Sequence, residues 1–220
     1  MVTFTLGSGG TPPPTFRLMS NAFVIDEEGR PCDTDYMELR ESVLLTDDDY
    51  RLFPEAGPRF QLIEGGLYMS PSPSRYHQAI ARNITYLLMK HLERNPIGEV
   101  FQAPLDVYLG RHDVFQPDIL FVSCGRKGIL AEDGVHGAPD AVVEILSPAT
   151  ARLDRESKLK VYARSGVREM WIVDPNSKTI SVFEFDRDVA NPIAVHGATS
   201  SFASISFPGL MIDAGAVFHS

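Results

Sequence analysis

Apolar residues recur at helical spacing in one long segment of the chain. Over 74–95 they lie three or four positions apart, at Ile80, Ile84, Leu87, Leu88 and Leu92. This pattern predicts an amphipathic helix, which Asn95-Pro96 would end. A second helix is predicted over 151–166 with Gly166 at its C-terminus, and a short one after Thr46, an N-cap residue followed by acidic residues.

Runs rich in β-branched and aromatic residues predict strands between and around these helices. Two hairpins are expected, one turning at Gly65-Gly66 and one at 174–177. Three further strand-like stretches, 99–110, 115–123 and 140–146, separate the two long helices. The order helix, three strands, helix, two strands predicts an α/β fold with a mixed β-sheet flanked by helices.

Composition places the chain among globular proteins without a membrane span. With 220 residues, of which 44% are hydrophobic, it can bury one substantial core. It has no run of 18 apolar residues and no secretory signal pattern, so we expect no association with a membrane. Cys32 and Cys124 stand alone, which argues against zinc and disulfide frameworks and favours a cytoplasmic protein.

Acidic residues concentrate at the N-terminal end. Residues 1–58 hold 4 Lys and Arg against 11 Asp and Glu, whereas residues 59–220 hold 16 against 18. The net charge of −9 argues at first against nucleic acid, but the main body of the chain is almost balanced. Because the segment 6–15 is rich in Gly and Pro, we predict a partly flexible N-terminal extension over 1–45 and one domain over 46–220.

One carboxylate stands within the most apolar of the predicted strands. Four residues surround Glu144 closely: Val142, Val143, Ile145 and Leu146. Such a run is typical of a strand that is covered on both faces, where an ionised Glu costs several kcal/mol unless a partner or a metal compensates its charge. The alternative is an edge strand that leaves Glu144 in solvent.

Asp118 and Lys158 complete a candidate site with Glu144. Carboxylates of Asp118 and Glu144 that face the same side of neighbouring strands would suit Mg²⁺ or Mn²⁺. From the turn near 147–151, Glu144 lies roughly 10 Å back along the strand, and Lys158 roughly 10 Å forward along the helix. If the helix folds back across the sheet, Lys158 returns level with Glu144. The alternative is a solvated lysine that pairs with Asp154.

Five motifs occur along the chain in a characteristic order. They are "LIEGGLYMSPSPSRYHQ" at 62–78, "PD" at 117–118, "VVEILSP" at 142–148, "D…K…Y…GV" at 154–167 and "WIVDP" at 171–175. Together they resemble the Uma two family, a set of endonucleases in the PD-(D/E)XK, or restriction endonuclease-like, superfamily. The resemblance covers about residues 46–185.

The resemblance implies a restriction endonuclease-like core and a metal ion held by Asp118 and Glu144. The superfamily's usual lysine stands two residues after the acidic residue, where this chain has Leu146. In the Uma two family the lysine comes from the following helix, which implies a catalytic role for Lys158. Two further residues fall at positions that resemble accessory sites of the family, Glu64 and His77.

Three positions depart from the family pattern. Gln61 stands where relatives often carry Glu, Gly66 where they often carry an acidic residue, and Met170 where Tyr is common. If the first acidic ligand of the family corresponds to position 61, the site is weakened here. If it corresponds to Glu64, little is lost.

The leading prediction is a metal-dependent endonuclease that hydrolyses phosphodiester bonds in DNA, with Mg²⁺ or Mn²⁺ as cofactor. Candidate contacts to the phosphate backbone lie on the second long helix, at Arg152, Arg155 and Lys160. A solvated helix face with internal ion pairs is the alternative for these residues. Cleavage of both strands of a duplex would favour a twofold homodimer.

Two other hypotheses remain open at the level of sequence. One is a catalytically degenerate nuclease fold that serves as a DNA-binding or assembly module, which the overall acidity and the changes at 61 and 66 favour. The other is an α/β protein in which Glu144 merely pairs with Lys158.

Overall fold

The computed structural model describes residues 44–53, 59–70, 72–148 and 150–219. The predicted extension over 1–45 therefore lies almost entirely outside the described residues, as do the Gly/Pro-rich segment 6–15 and Cys32. Within the described ranges, no helix is both long enough and apolar enough to cross a membrane.

Short helices and many strands make up the described chain. The α-helices are α1 (Asp47–Tyr50), α2 (Arg75–Leu92), α3 (Ala151–Leu153), α4 (Leu159–Ser165) and α5 (Ala214–Val217). A 3₁₀ helix spans Cys124–Ile129, and a π-helical turn over Asp154–Lys158 joins α3 to α4. The strands are β1 (Arg59–Ile63), β2 (Gly66–Ser70), β3 (Gly98–Gln102), β4 (Val107–Gly110), β5 (Asp113–Phe115), β6 (Ile119–Ser123), β7 (Leu130–Ala131), β8 (Gly134–His136), β9 (Ala141–Ile145), β10 (Glu169–Asp174), β11 (Thr179–Glu184), β12 (Ala194–Gly197), β13 (Ser201–Ala203) and β14 (Met211–Asp213).

Two six-stranded sheets organise the fold. The central sheet has the order β12-β11-β10-β9-β6-β3, and the second has the order β2-β1-β5-β4-β8-β7. Strand β9 runs parallel to β10 and antiparallel to β6, so the central sheet is mixed, as predicted. Strands β13 and β14 form a separate pair.

Each face of the central sheet carries its own hydrophobic cluster. On one face α2 packs together with α5, β13 and β14. On the other face α4 packs together with strands of the second sheet. Because side chains alternate along a strand, Val143 and Ile145 of β9 enter the first cluster, whereas Val142 and Leu146 enter the second. Glu144 therefore points toward α4.

The predicted long helix and both hairpins are present. Ser74 caps α2, and its side chain accepts a hydrogen bond from His77 N–H. Thr46 caps α1 in a reciprocal capping box with Asp49. The first hairpin turns one residue earlier than predicted, at Glu64-Gly65, where both residues have positive φ values of 51° and 79°.

The predicted count of three strands between the two long helices was too low, because the chain contains seven strands there. The stretch 99–110 divides at Ala103-Pro104 into β3 of the central sheet and β4 of the second sheet. An apolar run gives no sign of such a change of sheet, because both halves have the same alternation. The predicted helix over 151–166 is interrupted by the π-helical turn and ends at Gly166, which adopts φ +94°.

Glu169, at the start of β10, is a fully buried carboxylate that anchors the segment after β13. Ser204 Oγ donates to Glu169 Oε2 at 2.7 Å and Ser206 N–H donates to the same oxygen at 2.9 Å. Trp171 Nε1 donates to Oε1 at 2.8 Å. Three hydrogen-bond donors thus satisfy the buried carboxyl group of Glu169.

The substitution Ser204→Ala should lower the free energy of unfolding by about 1–3 kcal/mol, because it leaves a buried carboxylate oxygen with one donor fewer. Urea denaturation measures the change. Ser201→Ala, at an exposed position of β13, serves as the control and should change the free energy of unfolding much less. Equal effects of the two substitutions would contradict the anchoring role of Glu169.

Candidate active site

Pro117 ends the pairing of β6 with β9 and thereby creates the first part of the site. The register pairs Ile119 with Val143, and its continuation would pair Pro117 with Ile145. Proline has no backbone N–H, so the ladder cannot continue in the regular way. The lost donor leaves the carbonyl of Ile145 open to another partner, and the N–H of Ile145 donates to Asp118 Oδ2 at 2.7 Å. Asp118 is thereby fixed beside the end of β9, with its side chain 20% exposed.

His77, from the first turns of α2, closes the same strand end. Its Nε2 lies 3.1 Å from the carbonyl oxygen of Ile145 and 3.3 Å from Asp118 Oδ2. Burial lowers the pKa of His77, but Asp118 and the Ile145 carbonyl outweigh burial and raise it overall. His77 thus connects α2 to Asp118, as expected for an orienting residue.

Glu144 lies in the interior of the fold and is bound on both oxygens. The residue is 3% exposed, so the alternative of an edge strand in solvent is wrong. Lys158 Nζ lies 3.0 Å from Oε1 and 3.1 Å from Oε2, and the Tyr162 hydroxyl donates to Oε1 at 2.7 Å. The helix therefore folds back across the sheet and brings Lys158 level with Glu144, as the length estimate predicted.

Asp154 is a third carboxylate in this cluster. Its Oδ1 lies 3.0 Å from Lys158 Nζ, and both side chains are 2% exposed. The alternative interpretation correctly paired Lys158 with Asp154. It was wrong in placing the lysine in solvent, because the structure buries it. The π-helical turn over Asp154–Lys158 spans both residues, and such turns occur frequently at functional sites.

In the sequence, Asp154 was only an alternative partner for a solvated Lys158, and Tyr162 had no assigned role. Both lie on one helical face with Lys158 at a spacing of four residues, which was the available signal. The signal was insufficient because the same spacing is common on solvated helices. Only the burial of the whole face distinguishes this cluster from a surface ion pair.

The cluster contains more carboxyl groups than ammonium groups. Asp118, Glu144 and Asp154 face a single ammonium group on Lys158. The pKa of Glu144 is raised to about 8, because burial and the charges of Asp154 and Asp118 raise it by more than Lys158 and Tyr162 lower it. Burial lowers the pKa of Lys158, but Glu144 and Asp154 outweigh it, and the pKa is raised. Lys158 therefore stays protonated beside an excess of carboxyl groups.

A divalent cation fits this cluster in charge and in donor type. Asp118 and Glu144 offer carboxylate oxygens, which Mg²⁺ and Mn²⁺ prefer together with waters and phosphate oxygens. Asp118 is the partly exposed member and gives access from solvent. Among the described residues no three His, Cys, Asp or Glu side chains are grouped to hold a metal, so a cation here would use these two carboxylates.

Glu64 does not join the cluster in the structure. Its Oε1 accepts a hydrogen bond from Arg164 at 2.9 Å, and its N–H donates to Asp113 Oδ1 at 2.8 Å. The Oε1 of Gln61 accepts a hydrogen bond from the N–H of Gln116, two residues before Asp118. Of the two positions that the sequence left open, position 64 is therefore bound to Arg164, whereas position 61 is bound to the segment that precedes Asp118.

The three candidate contacts to nucleic acid lie on the outer side of the helix. Arg152 pairs with Glu156 within the helix, as the alternative of internal ion pairs predicts, whereas Arg155 pairs with Asp174 of β10. Lys160 is exposed. These cations are accessible, but two of them would have to exchange an acidic partner for a phosphate.

Two comparisons with known proteins return a match. The model of the Uma2 family, described as "Putative restriction endonuclease", matches residues 47–214. A crystal structure of a "putative nuclease belonging to DUF820" from Anabaena variabilis ATCC 29413 is similar at a TM-score of 0.65 and 22% identity, over 79% of this chain and 97% of that one. No curated protein matches the chain. The similar structure confirms the predicted fold class.

Lys158→Met should lower the free energy of unfolding by about 3–5 kcal/mol, because it leaves two buried carboxyl groups without their cation. Chemical denaturation at neutral pH measures the loss. Lys160→Met, two residues further along the same helix and exposed, is the matched control and should be nearly neutral. A similar stability of the two variants would show that the buried ammonium is not needed for the cluster.

The raised pKa of Glu144 predicts how stability depends on pH in the absence of metal. The folded protein holds this proton more tightly than the unfolded chain, so the stabilisation is complete below about pH 4.5 and is lost as the pH rises through about 8. Between these pH values, the free energy of unfolding should depend less on pH in Glu144→Gln than in the wild-type protein, and chemical denaturation at a series of pH values measures it. The His77 contribution has the same sign and remains in the variant. An unchanged pH profile in Glu144→Gln would contradict the prediction.

Proposed function

The chain belongs to the Uma2 family, described as "Putative restriction endonuclease", and we propose that it is a metal-dependent endonuclease that hydrolyses phosphodiester bonds in DNA. The observation that carries this proposal is the buried cluster of Asp118, Glu144 and Lys158. It combines two carboxylates from adjoining parts of one sheet with an ammonium from the next helix. A cluster of this composition suits phosphoryl transfer better than it suits a structural ion pair.

Asp118 and Glu144 are the residues that would hold Mg²⁺ or Mn²⁺. The bound cation would neutralise charge on the scissile phosphate and activate a water molecule. The hydrogen bond from Ile145 N–H and the contact with His77 hold the carboxylate of Asp118 in a fixed orientation. This orientation limits the reorganisation that binding would require.

Lys158 supplies the positive charge next to the acids. Its ammonium has three donors, so it can contact a phosphate oxygen while it remains bound to a carboxylate. In this role Lys158 would position the phosphate and the attacking water and stabilise the negative charge of the transition state. Its raised pKa keeps it charged over the working pH range.

DNA would approach from the side on which Asp118 is exposed. Arg152, Arg155 and Lys160 are the accessible cations that we propose as backbone contacts, and they would give salt-dependent affinity. A homodimer would present two such sites to the two strands of a duplex. We extend the proposal to DNA because the matched family is described by restriction, an activity on DNA.

A second candidate function is a nuclease fold that binds DNA or another protein without cleaving. Two observations favour it. Both oxygens of Glu144 are already bound by Lys158, and the residue near Asp118 on β1 is the neutral Gln61. Metal binding separates the two candidates, because only the enzyme needs a cation at Asp118 and Glu144.

Purified protein should cleave plasmid DNA in the presence of Mg²⁺ or Mn²⁺. Asp118→Asn and Glu144→Gln should each reduce the cleavage rate at least about 100-fold, since each removes a carboxylate from the cation site. Agarose gels of supercoiled, nicked and linear plasmid give the measurement. Asp186→Asn, at an exposed acid 73% accessible in its side chain, is the control and should keep full activity.

Cleavage that survives both substitutions would reject the proposed site and point to a contaminating nuclease. Absence of cleavage together with absence of Mn²⁺ binding, measured by calorimetry, would reject the enzyme and favour the binding module. DNA binding without metal, measured by fluorescence anisotropy, would support that module directly.

A further inference from the structure

Lys158 is shared between two buried carboxylates. Its Nζ lies 3.0 Å from Glu144 Oε1 and 3.0 Å from Asp154 Oδ1. The three side chains are at most 4% exposed, so water does not take part in the choice between the two partners. The proposed function uses Glu144 and Lys158 but leaves Asp154 without a role.

We propose that Asp154 is a positioning residue that retains the ammonium of Lys158 when a divalent cation takes the carboxylate of Glu144. This inference rests on the proposed cation site at Asp118 and Glu144. A cation and an ammonium compete for the same carboxylate oxygens, and Lys158 occupies both oxygens of Glu144. Metal binding at Glu144 therefore requires Lys158 to loosen its contact there.

Asp154 makes this exchange possible without exposing or isolating a charge. An ammonium released from Glu144 with no second acid would be buried and unpaired, which is strongly unfavourable at low polarity. Asp154 lies one turn before Lys158 on the same helical face, so the ammonium needs only a small rotation to bind it more closely. Asp154 Oδ1 has no well-formed hydrogen bond among the described residues and can accept one.

Tyr162 supports the same exchange from the opposite side. Its hydroxyl donates to Glu144 Oε1 at 2.7 Å, and this hydrogen bond does not involve Lys158. When Lys158 turns toward Asp154, Tyr162 still fixes the orientation of the Glu144 carboxylate. The lysine then remains beside the cation site, where it can contact the phosphate.

Calorimetric titration with Mn²⁺ alone tests the proposal without relying on activity. Asp154→Asn should weaken Mn²⁺ binding about tenfold, because Lys158 then has only Glu144 as an anionic partner and competes harder with the cation. Glu156→Gln is the matched control. It removes the same charge two residues away, from an exposed side chain that pairs with Arg152 and does not contact Lys158. It should change the affinity less than about twofold.

A double-mutant cycle shows whether Asp154 acts through Lys158. In a Lys158→Met background, Asp154→Asn should have no larger effect than Glu156→Gln has in the wild-type chain. If Lys158→Met does not fold, a crystal structure of the wild-type protein soaked with Mn²⁺ provides the second measurement. It should place Lys158 Nζ within hydrogen-bonding distance of Asp154 and beyond that distance from Glu144.

The outcomes separate this inference from the proposed function. Wild-type affinity for Mn²⁺ in Asp154→Asn, or a soaked crystal in which Lys158 stays on Glu144 or turns to solvent, would overturn the inference alone. No Mn²⁺ binding by the wild-type protein, or binding unaffected by Asp118→Asn, would overturn both. Rescue of Mn²⁺ affinity by Asp154→Glu would support the need for a carboxylate at this position.

Discussion

The ion pair between Lys158 and Glu144 is the interaction on which the site depends. A carboxylate in an inner strand of a covered sheet is unfavourable by itself, and the residues that flank Glu144 in sequence are all apolar. Lys158, Asp154 and Tyr162, all from the helix that crosses over β9, convert this position into a satisfied polar cluster. The same contacts hold the helix against the sheet, so the packing of the core and the chemistry of the site cannot be separated.

The residues immediately before β6, Pro117 and Asp118, contribute the part of the site that solvent reaches. Pro117 cannot continue the ladder, and the backbone groups of Ile145 are bound by Asp118 and His77. The Pro-Asp pair of the family motif thus has a physical meaning: proline ends the strand pairing, and the aspartate takes the vacant position. In the proposed site, the partly exposed Asp118 would give a cation access from solvent, and the buried Glu144 would give it surroundings of low polarity.

The charged and neutral residues around the cluster limit how a cation could be held there. The cluster has more carboxyl groups than ammonium groups, which is the basis for proposing a divalent ion there. The accessible arginines on the same helix, Arg152 and Arg155, are paired with acids. Gln61 of β1 accepts a hydrogen bond from the N–H of Gln116, two residues before Asp118, whereas Glu64 is bound by Arg164 at the hairpin turn. A cation held here would therefore rely on two protein carboxylates, with waters or phosphate oxygens completing its coordination.

The sequence by itself determined the family, the fold class, the long helix, both hairpins and the closeness of Lys158 to Glu144. These follow from local periodicity, turn residues and motifs, and the position of Lys158 follows from rise per residue. The tertiary structure alone decided the change of sheet at Ala103-Pro104, the π-helical turn, and the burial that recruits Asp154. It also decided that Glu64 pairs with Arg164. Sheet order and burial depend on contacts between residues far apart in the chain, and no local pattern encodes them.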